Sequence, residues 1–75
     1  MNNIVGKYIK EIREKQGITQ EQLAIRLEMA GWRVNRFLVS KIERGDRQVS
    51  DIEAQLIAQA LMVSISNLFG QGNQK

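Results

Sequence analysis

The chain has 75 residues and a net charge of +3, from 11 Lys and Arg against 8 Asp and Glu, with 43% hydrophobic and 25% charged residues. That is enough for one small core and too apolar for wholesale disorder, and it rules out a two-lobed architecture. Cysteine and histidine are absent, which removes disulfide frameworks, thiol and imidazole chemistry and nearly every zinc or transition-metal site, so neither a metal nor a cofactor is expected.

Ile4, Val5, Tyr8, Ile9 and Ile12 recur at helical spacing, which predicts a first helix from about Asn3 to Gln16, stopped by Gly17. Ile18-Thr19-Gln20-Glu21-Gln22-Leu23 then carries a complete start signal. Thr19 can cap, Gln22 can reach back to it, and Ile18 can staple onto Leu23. Leu23, Ala24, Leu27 and Ala30 share a face, giving a second helix that ends at Gly31. Val34-Asn35 repeats the staple and cap, so a third helix covers about Arg36 to Arg44 and stops at Gly45. Ser50 with Glu53 three residues on opens a fourth helix running through Ile57, Ala58 and Leu61. Val63 and Leu68 form a staple pair around a short fifth helix, and residues 71–75 read as a flexible tail.

No segment alternates with period two, so the expected class is all-α: one domain over residues 1–70, five short helices crossing steeply around a small core. No apolar run can span a bilayer, and Met1-Asn2-Asn3 lacks the features of a signal peptide, so a cytoplasmic protein without membrane contact is expected. Charge is concentrated rather than spread. Arg33, Arg36, Lys41, Arg44 and Arg47 face only Glu43 and Asp46 between residues 33 and 47, a local +3, while the rest of the chain is neutral. Such a cluster suits an anionic partner, nucleic acid included, although a solvated face accounts for many clusters of this size.

Arg13 four before Gly17, the run Gly17-Ile18-Thr19-Gln20 with Leu23-Ala24, the run Val39 to Gly45, and Ile57-Ala58-Gln59-Ala60-Leu61 with Val63-Ser64 and Leu68-Phe69 together resemble the phage-repressor and Cro-like helix-turn-helix domains. Their order and spacing carry the resemblance, which covers most of the chain. It implies a compact five-helix DNA-binding domain whose motif spans about residues 19–45, the third helix lying in the major groove and the second crossing the backbone. It also implies roles. Asn35, Arg36, Phe37, Ser40 and Lys41 match positions that face base edges; Gln20, Arg44 and Arg47 match phosphate contacts; Arg13 and Glu43 look like the family's internal ion pair. Two departures stand out. The chain is about five residues longer than the short family pattern between Leu27 and Val34, and Met62 occupies a position where the pattern favours glycine.

Ile25, Met29 and Trp32 form a second apolar stripe off the main face of the second helix, to be covered by the longer turn or by another subunit. Leu68 and Phe69 offer a further self-association surface and are expected to cap the core as well. The carboxylate pairs Glu11 with Glu14 and Asp51 with Glu53 sit where solubility and capping explain them, so no enzyme is expected. The leading expectation is a double-stranded-DNA-binding transcriptional regulator, a repressor acting as a homodimer on a pseudo-palindromic operator and nucleoid-associated when bound. The competing one is a protein-interaction module of the same fold, an antitoxin-like subunit or an adaptor.

Overall fold

The computed structural model describes residues 4–70, so Asn3 at the expected head of the first helix and the tail 71–75 lie outside the described residues. The order is α1 (Ile4–Lys15), α2 (Gln20–Met29), α3 (Arg36–Arg44), α4 (Asp51–Leu61) and a 3-10 helix (Ile65–Phe69), with no strand among the described residues.

Local chemistry sets most of these boundaries. Thr19 Oγ1 accepts from the Gln22 N–H at 3.0 Å while Gln22 Oε1 accepts from the Thr19 N–H at 2.8 Å. Ser50 and Glu53 repeat this reciprocal box at α4, and Asn35 Oδ1 accepts from the Leu38 N–H at 3.0 Å to open α3. Each cap satisfies an orphan amide and is worth about 1 kcal/mol. At the far ends, Gly17, Gly31 and Gly45 adopt positive φ. The residue after each donates back across the last turn: Ile18 to Arg13, Trp32 to Leu27 and Asp46 to Lys41. α4 stops the same way without a glycine. Met62 takes φ 59° and ψ 42°, and Val63 donates to the Ala58 carbonyl at 3.0 Å. A side chain in that conformation costs about 1–2 kcal/mol.

Two expected elements come out differently. α2 closes at Met29 because Ala30 has already left helical geometry to lead into Gly31. The fifth element is a 3-10 turn rather than an α-helix: Ser64 makes no side-chain cap, and its hydroxyl instead meets Ser66 Oγ and Asn67 Oδ1.

The core joins Val5 and Ile9 of α1, Leu23 and Leu27 of α2, Val39 and Ile42 of α3, Ile57 and Leu61 of α4, and Leu68. Each of these large side chains contributes roughly 1.5–3 kcal/mol by leaving water. Leu68 is fully enclosed, so of its two expected roles it has the core-capping one and no part in a self-association surface: the 3-10 turn points it inward as the core's closing side chain. Polar side chains tie the helix ends together. Gln16 Nε2 donates to the Leu61 carbonyl at 2.6 Å and Arg26 Nη1 to the Ala60 carbonyl at 3.0 Å, so α4's terminal carbonyls are served by residues after α1 and within α2. α1 lies directly on the end of α3. A Cβ on Gly6 would fall within 3 Å of the Ile42 carbonyl oxygen and 3.1 Å from that of Glu43, so only glycine allows this approach.

Candidate nucleic-acid interface

At about 100° per residue, Arg36, Phe37, Ser40, Lys41 and Arg44 occupy one side of α3 and Val39, Ile42 and Glu43 the other. The three on the second side are buried, while Arg36, Phe37, Lys41 and Arg44 are exposed and Ser40 half-buried. Glu43 is the only carboxylate of α3, and it is turned inward. The outward face of the helix therefore carries cations, a hydroxyl and an aromatic ring, with no acidic group along its length.

The inward Glu43 is fully satisfied. Arg13 Nε donates to Glu43 Oε2 at 2.7 Å and Arg13 Nη2 to Oε1 at 3.1 Å, a forked pair in which the Glu43 side chain is almost completely enclosed. The hydrogen bond to Glu43 raises the Arg13 pKa further above its ordinary value, against the opposing effect of burial. Arg13 Nη1 also donates to the Ile18 carbonyl, and Gln20 Nε2 donates to Glu43 Oε1 at 3.0 Å. Gln20, matched above to a phosphate contact, thus commits one amide hydrogen to this network and keeps the other. The network fixes the end of α3 to α1 and to the first residue of α2.

Each residue expected to face base edges has a distinct setting. Asn35 uses its side-chain oxygen as the α3 cap, which leaves its amide nitrogen as the group with hydrogens to give. Phe37 is 66% exposed, and the Arg36 guanidinium lies over its ring, 5.0 Å from the centroid. Lys41 projects from the same side and is exposed. Ser40 Oγ accepts from Arg44 Nη1 at 2.6 Å, and Arg44 Nε donates to Asp46 Oδ2 at 3.0 Å. Arg33, Val34, Asn35, Phe37, Leu38 and Lys41 line an open hollow of about 540 Å³, and a second of about 500 Å³ lies between the start of α2 and Arg36.

Arg47 is placed differently from the other basic residues. Its Nη1 and Nη2 donate to Glu53 Oε1 and Oε2 at 2.9 and 3.1 Å, and its guanidinium stands 5.6 Å from the centre of the Trp32 ring. The hydrogen bond from Arg47 is the largest influence holding the Glu53 carboxyl below its ordinary value, opposed by burial and aided by the Ser50 N–H. The sequence contained a signal for half of this arrangement, the Ser50–Glu53 box, and none for its closure onto Trp32. Away from α3, Ile25, Met29, Ile52, Met62, Ile65 and Phe69 are exposed apolar residues, with Met29 at 82%.

The family profile of helix-turn-helix proteins matches residues 9–68, which contain the whole of this arrangement. Among solved structures, the restriction-modification controller protein C.AhdI from Aeromonas hydrophila is 32% identical, with 87% of each chain covered and a TM-score of 0.76. A single-residue variant of the restriction-modification controller C.Esp1396I is 34% identical, covering 91% of this chain and 82% of that one, with a TM-score of 0.75. The clp gene regulator ClgR from C. glutamicum shares the fold at 23% identity and a TM-score of 0.79, over 96% of this chain and 94% of its own. No curated protein matches the sequence significantly. The matched profile and these neighbours coincide with the segment that turns a carboxylate-free basic face outward, and the chain belongs to the helix-turn-helix family of DNA-binding transcriptional regulators.

Proposed function

We propose that this protein reads a specific double-stranded DNA sequence as a homodimer on a pseudo-palindromic operator, and that its output is repression. The observation that carries the reading is the outward face of α3, where Arg36, Phe37, Ser40 and Lys41 stand together while the helix's one carboxylate is buried against Arg13. Arg36 and Lys41 supply donors for guanine O6 and N7, Phe37 an apolar surface for a thymine methyl, and Asn35 and Ser40 shorter polar contacts. Gln20 and Arg44 flank this face as phosphate contacts. The backbone N–H groups opening α2 border the hollow beside Arg36 and add to that anchoring.

The exposed Met62, Ile65 and Phe69 support the homodimer, since each leaves apolar surface uncovered near the C-terminal end of the described residues. Occupying a promoter requires no surface beyond the operator-bound dimer, which is the argument for repression. Similarity to two restriction-modification controllers makes the genes of such a system the proposed target.

Selection from random duplexes at about 0.15 M salt, where non-specific phosphate contacts are already weakened, tests the reading. Enrichment of an inverted repeat with half-sites about one helical turn apart is expected. Arg36→Ala or Lys41→Ala should then lose about 1–3 kcal/mol on that site and relax its sequence. A second reading is favoured by the exposed Ile25 and Met29 of α2, which suit an adaptor or antitoxin-like contact with another protein. Charge reversal at Arg36 and Lys41 separates the two, because it abolishes DNA reading and leaves an α2 partner bound.

A further inference from the structure

We infer that Arg47 is a positioning residue for the DNA-reading helix: with Trp32 on one side and Glu53 on the other it closes a clip across both ends of α3. This role rests on the reading of α3 as the DNA-reading element. Trp32 lies three residues before the Asn35 cap, and its N–H closes α2 on the Leu27 carbonyl. Arg47 lies three residues after Arg44, the last residue of α3, and Glu53 stands in the first turn of α4. One guanidinium therefore joins the entry to α3, its exit and the start of the next helix.

At least three of the five N–H donors of Arg47 are committed within the protein. Nη1 serves Glu53 Oε1 and the Gln48 carbonyl at 3.0 Å, Nη2 serves Glu53 Oε2, and the guanidinium carbon lies over the Trp32 ring within cation–π range. Glu53 is held from its other side as well, since Oε1 accepts from the Ser50 N–H at 3.0 Å. The Arg47 and Glu53 side chains are 35% and 22% exposed, whereas the Arg44 and Asp46 pair is 57% and 59% exposed. Arg44 is a surface cation that can exchange a carboxylate for a phosphate. Arg47 belongs to a neutral, forked and stacked unit, and α3 loses a fixed point if that unit opens. The longer turn between α2 and α3 gives this unit its purpose. A connection of six residues, 30–35, holds the helix less firmly than a tight turn, and Trp32 with Arg47 braces it from outside.

Three variants separate positioning from phosphate contact. Glu53→Gln keeps an oxygen for the Ser50 N–H while removing the charge pair; Arg47→Lys keeps the positive charge and loses the fork and the stack; Arg47→Ala loses both. If Arg47 positions α3, all three weaken binding to the selected operator about tenfold, the scale of one lost base contact. The slope of log affinity against log salt then stays at the wild-type value. In the free, folded variants the fluorescence of Trp32, the only tryptophan, becomes more accessible to iodide or acrylamide. Circular dichroism and urea midpoints confirm that the compared chains are folded. The inference is overturned if Glu53→Gln binds DNA as tightly as the wild type or tighter. It is equally overturned if Arg47→Lys retains full affinity while Arg47→Ala lowers the salt slope by about 0.9 per protomer, the mark of a lost phosphate contact. Failure of the wild-type chain to select any operator removes the DNA reading and this role with it. The clip itself stands or falls separately, on Trp32 in the free protein.

Discussion

Replacing Gly6 by alanine sets two effects of opposite sign against each other. Gly6 lies inside α1, where alanine is favoured over glycine by about 1 kcal/mol on helix propensity alone. The added methyl, however, would meet the Ile42 carbonyl oxygen at less than 3 Å and that of Glu43 at 3.1 Å. Those atoms are backbone in the last turn of α3 and cannot swing aside as a side chain end would, so α1 must lift. Overpacking of this kind costs about 1–3 kcal/mol, and a backbone obstacle puts Gly6 at the upper end. The net expectation is a loss of about 2 kcal/mol, or a fall in Tm of about 8–16 °C for a domain of this size. Urea and thermal unfolding followed by circular dichroism measure it. Because Arg13 reaches Glu43 from the helix that lifts, specific DNA affinity should fall alongside stability. A Gly6→Ala protein more stable than the wild type, with unchanged operator affinity, would refute the direct seating of α1 on α3.

Glu43→Ala strands the buried Arg13 guanidinium and should cost about 3–5 kcal/mol, whereas Glu43→Gln, which keeps an acceptor, should cost clearly less; equal urea midpoints for the two would show the charge to be irrelevant. Met62→Gly relieves a left-handed side chain worth about 1–2 kcal/mol and gives back about 0.4–1 kcal/mol through a more flexible unfolded chain, so Tm should rise modestly. A fall in Tm would contradict that assignment. The folded-state pKa of Glu53 is depressed, so its contribution is present above the unfolded value of about 4.3 and is lost as pH falls through the lower folded value. Acid titration of Trp32 fluorescence should show this transition in the wild type and not in Glu53→Gln. On the proposed homodimer, Phe69→Glu should shift sedimentation toward monomer while leaving the unfolding midpoint of the monomer close to wild type; an unchanged sedimentation coefficient would refute a self-association contact at Phe69.

The parts of this fold that were legible in the sequence are those that neighbours in the chain decide. Thr19 with Gln22, Ser50 with Glu53, Asn35 alone, and the glycines at 17, 31 and 45 act within a few residues, and they set the helix boundaries almost everywhere. The last element escaped this logic because a staple pair specifies a turn without specifying its pitch, and Ser64 spends its hydroxyl on Ser66 and Asn67. What side chains do across space was legible only where a family pattern supplied it, as for Arg13 and Glu43. Gln20 joining that pair, Arg47 reaching Trp32 and Gly6 admitting the α3 carbonyls all depend on how helices cross, which periodicity does not record. Leu68 shows the limit from the other direction: an apolar residue near a chain end looks the same in sequence whether it closes a core or waits for a partner.

Every described helix ends on its own left-handed residue, and with no proline and no cysteine in the chain there is neither a prolyl isomerisation nor a disulfide exchange to wait for. Contacts in helical folds of this kind are mostly close in sequence, and such domains fold in microseconds to milliseconds. Synthesis of 75 residues at 5–20 residues per second takes about 4–15 s. Folding of this domain is thus fast compared with the time taken to synthesise it. On the proposed reading of a repressor that binds its operator as a pair, the delay before control begins is therefore set by the wait for a second copy, a matter of gene dosage rather than of folding.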